Sequence, residues 1–250
     1  MDSQTQTAPK QTALVTGATS GIGRAITLAM AEAGYDVIAL GRRATVLEKM
    51  KAYPGVRPMA LDLTDREALA TALAGEQIDV LVNNAGSIPP ITRFFDMDQA
   101  DIDTTLEVNL SAAIAVTRLV LPAMVARKRG HLFFTGSIAG QGAFPNMAVY
   151  GATKAAISHF AAGLRCDLSG SGVRVSEIVA GRVETELYRD ALSAQARADM
   201  YEVYDAVQPE DVAQMLMTVL QMPPHVDVTR FDILPTAQFV GGGGFAEKDA

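Results

Sequence analysis

From residue 12 to residue 234 the chain alternates between two spacings of apolar residues. Short, nearly continuous apolar runs occur at 12–16, 36–40, 57–61, 78–82, 131–135, 173–179 and 228–234. Runs of that length predict strands buried on both faces. Between them, over 22–33, 44–51, 65–74, 98–127, 149–169 and 209–221, the apolar positions recur three and four apart. That spacing gathers them on one side of a helix. Gly34 follows the first helix at a position that suits a cap, and Pro54 with Gly55 breaks the second. Regular alternation without a change of composition predicts one α/β domain over 11–250, a doubly wound parallel sheet of about seven strands with helices on both faces. Residues 1–10 read as a flexible polar tail, and 241–244 is a short glycine run.

Charge and composition narrow the partners. The 250 residues carry 28 Asp or Glu against 21 Lys or Arg, a net charge of −7. An acidic surface argues against nucleic acid, which needs clustered cations. Cys166 is the only cysteine, so no internal disulfide can form, and a cytoplasmic setting is expected. No apolar signal core opens the chain, and no stretch reaches the roughly 18 uninterrupted apolar residues of a membrane span. His131, His159 and His225 lack metal-ligand spacing and an obvious nucleophile partner, and no metal is expected. Cys166 reads as a packed thiol, and Met215, Met217 and Met222 as core or interface filler.

Candidate chemistry begins where the first strand ends, at Thr16-Gly17-Ala18-Thr19-Ser20-Gly21-Ile22-Gly23. Gly17 permits a tight turn, Gly21 a close approach of backbone amides to a pyrophosphate, and Gly23 close packing of helix on sheet. The amides of Thr19, Ser20, Gly21 and Ile22 then lie at a helix N-terminus, which favours phosphate. A plain strand–turn–helix corner is the simpler alternative. At the end of the second strand stand Arg42 and Arg43, where NAD sites usually place a carboxylate. Guanidinium groups attract a ribose 2′-phosphate, so the expected cofactor is NADP(H). Tyr150 and Lys154 are four apart and share a helix face.

The G-x-x-x-G-x-G spacing, together with Asn83-Asn84-Ala85-Gly86, Asn109, Ser137 and Tyr150-x-x-x-Lys154 in order, resembles the short-chain dehydrogenase/reductase family across 12–240. The resemblance implies a Rossmann-type sheet and hydride transfer between nicotinamide and a small alcohol or carbonyl substrate. It implies that Asn84, Ala85 and Gly86 border the cofactor, and that Asp62 and Leu63 touch the adenine, although Asp62 also suits a helix start. Tyr150 is then the proton donor or base. Lys154 and the oxidised nicotinamide are expected to lower its pKa, and Lys154 also binds the ribose. Ser137 polarises the substrate oxygen, and Asn109 holds a water linked to Lys154.

After the sixth strand the sequence departs from the family's Pro-Gly and reads Ala180-Gly181-Arg182. Gly181, Val183 and Thr185 still resemble cofactor contacts. Arg182 is either an anchor for an anionic substrate group or a solvated cation paired with Glu184 or Glu186. Residues 183–208, with Tyr188, Tyr201 and Tyr204, resemble the family's substrate lid. Leu164-Arg-Cys-Asp-Leu168, Gln208-Pro-Glu-Asp-Val212 and Leu234-Pro-Thr-Ala-Gln-Phe239 resemble the NADP-dependent 3-hydroxy acid (serine) dehydrogenase branch. That branch implies 3-hydroxy acids, their semialdehydes or sulfonated analogues, and a homo-oligomer, tetramer or dimer, packed through the helices at 98–127 and 149–169. Another small ketone or aldehyde as substrate, or a catalytically silent NADP-binding sensor, stays open.

Overall fold

The computed structural model of the chain describes residues 10–189, 191–202 and 205–238. The expected tail to residue 9, Tyr204, Phe239 and the glycine run lie outside them. Seven parallel strands form one sheet in the order β3-β2-β1-β4-β5-β6-β7. They are β1 Thr12–Thr16, β2 Asp36–Gly41, β3 Val56–Ala60, β4 Val80–Asn83, β5 Gly130–Ser137, β6 Val173–Ala180 and β7 Arg230–Ile233. The helices α1 Gly21–Glu32, α2 Ala44–Met50 and α8 Pro209–Leu220 cover one face. On the other face lie α3 Arg66–Leu73, α5 Ala112–Ala126 and α6 Ala148–Asp167.

The continuous apolar runs follow from this double cover. In β1, Ala13 and Val15 enter one core, while Leu14 between them enters the other. Phe133 and Phe134 on β5 divide in the same way. Strand residues alternate between faces, and here both faces are dry. The chain reverses its winding direction between β1 and β4. At such a switch point the loops leaving the strands diverge and open a crevice at their C-terminal ends.

The helix expected over 98–127 is interrupted. It consists of α4 Gln99–Leu106, a π-helical turn Glu107–Ser111, and α5. The run Gln99–Ala126 is long and apolar enough to cross a membrane by length and composition. Its inner face, from Thr105 and Asn109 to Val116, Val120 and Met124, instead packs into the protein. A further helix, α7 Ala194–Glu202, lies within the lid segment. It has no apolar stripe, and its Ala, Gln and Arg residues favour a helix without announcing a buried face. Two packing expectations are corrected. Cys166 is exposed, because it falls on the outer side of α6, and Met222 is also exposed, beyond the end of α8. Met215 and Met217 do pack against the core.

His131 has a partner that the sequence did not announce. It is 2% exposed, stacks on Phe133 at 4.0 Å between centroids, and lies 2.8 Å from Ser176 Oγ. That hydroxyl donates to the Val228 carbonyl at 2.6 Å, so the ring donates to it from Nε2. Burial first, and the Arg174 charge second, push the ring's pKa from 6.5 down to about 3. The unfolded chain therefore takes up a proton as pH falls through the ordinary histidine range, while the folded chain does not. Stability present at neutral pH is lost across that window, by about 1.4 kcal/mol per pH unit. His131→Phe keeps the stack and the Ser176 bond to Val228. The acid-unfolding midpoint, followed by circular dichroism, should move to lower pH. An unmoved midpoint would mean that this ring does not govern acid stability.

Candidate active site and cofactor cleft

The crevice at the C-terminal ends of the strands is a cleft of about 420 Å³. It runs from Arg42, Asp62 and Leu63 at one end, past Gly17, Thr19 and Gly86, to Ser137, Tyr150 and Lys154 at the other. Its floor is set by close backbone approach. Gly17 has φ +68°, and a Cβ there would lie 2.9 Å from the Ala85 Cα. A Cβ on Gly23 would overlap the Gly17 carbonyl oxygen and the Asn84 amide. Thr16 Oγ1 accepts from the backbone N–H groups of Asn84 and Ala85, both at 3.0 Å. Asn84 Nδ2 returns a bond to the Thr16 carbonyl at 3.2 Å, and Thr135 Oγ1 donates to Asn84 Oδ1 at 3.4 Å. The ends of β1, β4 and β5 are thus stapled together beneath the cleft. Thr16 and Thr135 were not singled out from the sequence, because a threonine at a strand end carries no distinctive signal.

These features suit a dinucleotide. The start of α1 offers free N–H groups at the glycine turn, and glycine leaves no side chain to obstruct phosphates. Of the two arginines expected to select the cofactor, Arg43 is already engaged. It donates from Nε to Thr19 Oγ1 at 3.2 Å, from one terminal nitrogen to the Thr19 carbonyl at 2.7 Å, and pairs with Glu186 at 3.1 Å. Arg42 is 74% exposed and only loosely paired, 3.8 Å from Asp62. Asp62 Oδ1 accepts from Thr64 N and Thr64 Oγ1, both at 2.9 Å, and these bonds hold its carboxyl below the ordinary range. Asp62 therefore builds the turn into α3, as the helix-start reading expects, and also lines the cleft.

At the other end, Tyr150 and Lys154 share one side of α6, as their spacing predicts. Lys154 Nζ lies 5.7 Å from the centre of the Tyr150 ring and donates to the Thr135 carbonyl at 2.8 Å. Tyr150 is 6% exposed and Lys154 5%. Ser137 neighbours the phenol closely enough to favour its ionised form. Asn109 sits in the π-helical turn, a distortion that often marks functional sites. Its Oδ1 accepts from Ser87 N at 2.7 Å, while Nδ2 donates to the Ser87 carbonyl at 2.9 Å and to Thr153 Oγ1 at 3.2 Å. Asn109 thus clamps the loop after β4 against α6, beside Lys154. Arg66 braces the same turn through Glu107 and also donates to the Leu63 carbonyl at 2.7 Å.

Within the protein's own groups, burial opposes the expected lowering of the Tyr150 pKa. Burial dominates and raises the Tyr150 pKa, and Tyr188 adds to the rise. Lys154 is pushed by burial from 10.5 to about 8, against a pull upward from Glu177. Taking a charge out of water costs more here than the Ser137 hydroxyl returns. Among the protein's own groups the phenol therefore holds its proton at neutral pH, and the lysine is still largely charged.

Over the cleft lies the lid. Tyr201 Oη on α7 accepts from Thr185 N at 3.2 Å and lies 3.4 Å from the Val183 carbonyl. The backbone of Gly181 donates to Ile233 O, and Arg182 N donates to Gln238 Oε1 at 2.7 Å. Glu186 pairs with Arg43 and Arg189, not with Arg182. The Arg182 guanidinium lies 5.7 Å from the Tyr188 ring centre, and its buried Nε has no hydrogen-bond partner among the described residues. Tyr188 and Glu186 come from the segment expected to form the lid, and Gln238 from the tail that resembles the 3-hydroxy acid branch, but their individual contacts had no signal in the sequence.

Residues 11–196 match the short chain dehydrogenase family. An uncharacterized short-chain type dehydrogenase/reductase of Sinorhizobium fredii is 48% identical over 93% of this chain and 94% of that protein. Sulfoacetaldehyde reductase 2 of Chromohalobacter salexigens is 37% identical over 90% of this chain and 94% of its own. The solved closed form of serine dehydrogenase with NADP+ superposes with a TM-score of 0.90 at 34% identity, covering 94% and 98% of the two chains. Likeness of this extent leads to one conclusion: the chain belongs to the short-chain dehydrogenase/reductase family, oxidoreductases built around a nicotinamide cofactor.

Proposed function

We propose that the protein is an NADP(H)-dependent oxidoreductase acting on the CH–OH or carbonyl group of a small anionic substrate, a 3-hydroxy acid or a short sulfonated aldehyde. The observation that carries this reading is the convergence of Ser137, Tyr150 and a Thr135-bound Lys154 at one end of a dinucleotide-sized cleft. Bound NADP(H) supplies or takes up the hydride. Ser137 holds the substrate oxygen, and Tyr150, kept protonated by burial, donates its proton to that oxygen in reduction. In oxidation Tyr150 accepts the proton, which requires the phenolate and is favoured as pH rises. Lys154 holds the cofactor ribose, and Asn109 fixes the loop and the proton path beside it. Arg42 takes the 2′-phosphate, while Arg43 shapes the wall between the glycine turn and the lid. Leu106, Ile114, Leu119 and Val125 leave apolar area exposed along the 99–126 helix. We read that face as the contact between copies in a homo-oligomer.

The anionic class rests on Arg182, a cation whose buried Nε has no partner among the described residues, beside a tyrosine that borders Tyr150. It is supported by two relatives whose names specify serine and sulfoacetaldehyde. Arg182→Leu should raise KM for a carboxylate or sulfonate substrate by about tenfold or more, the worth of one charge-assisted hydrogen bond. KM for a neutral alcohol of the same size should stay level. Equal effects on both would remove the anchor.

The reading as a whole is tested by following NADPH formation from NADP+ with serine, 3-hydroxyisobutyrate, 3-hydroxypropionate, isethionate and 2-propanol. Turnover of at least one acid above 2-propanol is expected. NADP+ binding without turnover of any of them would favour a silent sensor.

A further inference from the structure

A buried acid lies behind this site, and the chemistry proposed so far does not use it. Glu177 is on β6, in a sheet covered on both faces, and is only 5% exposed. Its neighbours along the strand, Val175, Ile178 and Val179, are apolar and fully buried. A carboxylate in such a place is costly unless charge or hydrogen bonds compensate it. Ser158, one helical turn along α6 from Lys154, donates to the Glu177 carboxylate and lies 3.2 Å from the Lys154 carbonyl oxygen. On β5, two residues beyond its register partner Phe134, lies Gly136, where any Cβ would overlap the Glu177 carboxylate. Gly136 lies between Thr135, whose carbonyl receives Lys154 Nζ, and Ser137. A side chain at this position of the strand would displace the Glu177 carboxylate. From β7, Arg230 also feels Glu177, but its guanidinium pairs with Asp232 at 2.5 Å. Tyr150 is the remaining titratable group facing Lys154.

We infer that Glu177 is a positioning residue, a buried counter-charge that keeps Lys154 an ammonium bonded to the Thr135 carbonyl. The inference rests on the proposed role of Lys154, since only a charged lysine lowers the pKa of the phenol and donates to a ribose. Burial alone drives Lys154 toward its neutral form, and Glu177 is the group that opposes it.

The test reads the lysine directly. In protein carrying 13C-labelled lysine and no cofactor, the Cε resonance that Lys154→Arg removes should titrate near pH 8. In Glu177→Gln that transition should move down by about one pH unit, and Glu177→Asp should bring most of it back. The alkaline limb of the pH profile for carbonyl reduction should move by the same amount. Glu177→Ala, which opens space instead of inserting an amide, is the second neutral variant and should shift the resonance in the same direction. A lysine transition that stays in place in whichever neutral variant folds overturns the inference, whatever happens to the melting temperature. A resonance that shifts while the activity profile does not would leave the counter-charge standing and count instead against Lys154 in turnover.

Discussion

Tyr150→Phe lowers turnover by about a thousandfold or more and leaves NADPH binding within about twofold. The phenol is the one acidic proton at this end of the cleft that is both buried and beside Ser137. A positioned general acid typically contributes a factor of about a hundred to ten thousand. Phenylalanine keeps the ring that fills the site, and it leaves Lys154 bonded to the Thr135 carbonyl. Cofactor binding measured by fluorescence titration should therefore be preserved while hydride transfer, followed by NADPH absorbance, is lost. Retention of turnover within tenfold of the parent would remove Tyr150 from the mechanism.

Replacing Arg42 and Arg43 together by Ala should weaken NADPH by about a hundredfold and leave NADH within about threefold. Two charge-assisted bonds to a 2′-phosphate are each worth about 1.5–3 kcal/mol, and each 1.4 kcal/mol is a factor of ten. The structure divides the effect unequally. Arg42 is exposed at the rim and free to turn toward a phosphate, so Arg42→Ala alone should affect NADPH and not NADH. Arg43 is bound to Thr19 and to Glu186 of the lid, so Arg43→Ala should weaken both cofactors by loosening the wall they share. The measurement is KM for each cofactor in the three variants at constant ionic strength. Undiminished preference for NADPH in the double variant would refute the assignment of the 2′-phosphate to this pair.

The fold was legible because its signals are local and repeated. A strand buried on both faces is apolar at nearly every position, as in Leu14 and Val15, and a helix that covers the sheet keeps a one-sided stripe. Alternation of the two then leaves few ways to connect them. The glycine turn was legible for a related reason, since Gly17 and Gly23 stand where backbone meets backbone and a side chain has no room. Tyr150 and Lys154 could be paired because a helix fixes what four residues means in space. The interrupted helix could not be read in the same way. The π-helical turn at Glu107–Ser111 is held by Asn109 on Ser87 and Thr153 and by Arg66 on Glu107, bonds to segments distant in sequence. The lid helix α7 was equally silent, because it has no buried stripe to advertise it.

The sequence by itself therefore determined the parallel sheet, the cofactor turn and the positions of the reactive side chains. The sheet and the turn follow from periodicity and from steric limits on single residues, and the candidate reactive side chains from the resemblance of their motifs to the family. Only the tertiary structure decided their electrostatics. Burial raised the pKa of the phenol, Ser158 joined Glu177 to the Lys154 turn of α6, and Thr19 and Glu186 engaged Arg43 while Arg42 stayed exposed. The reason is that burial and charge depend on which atoms meet across the fold, and spacing along one strand or helix does not record that.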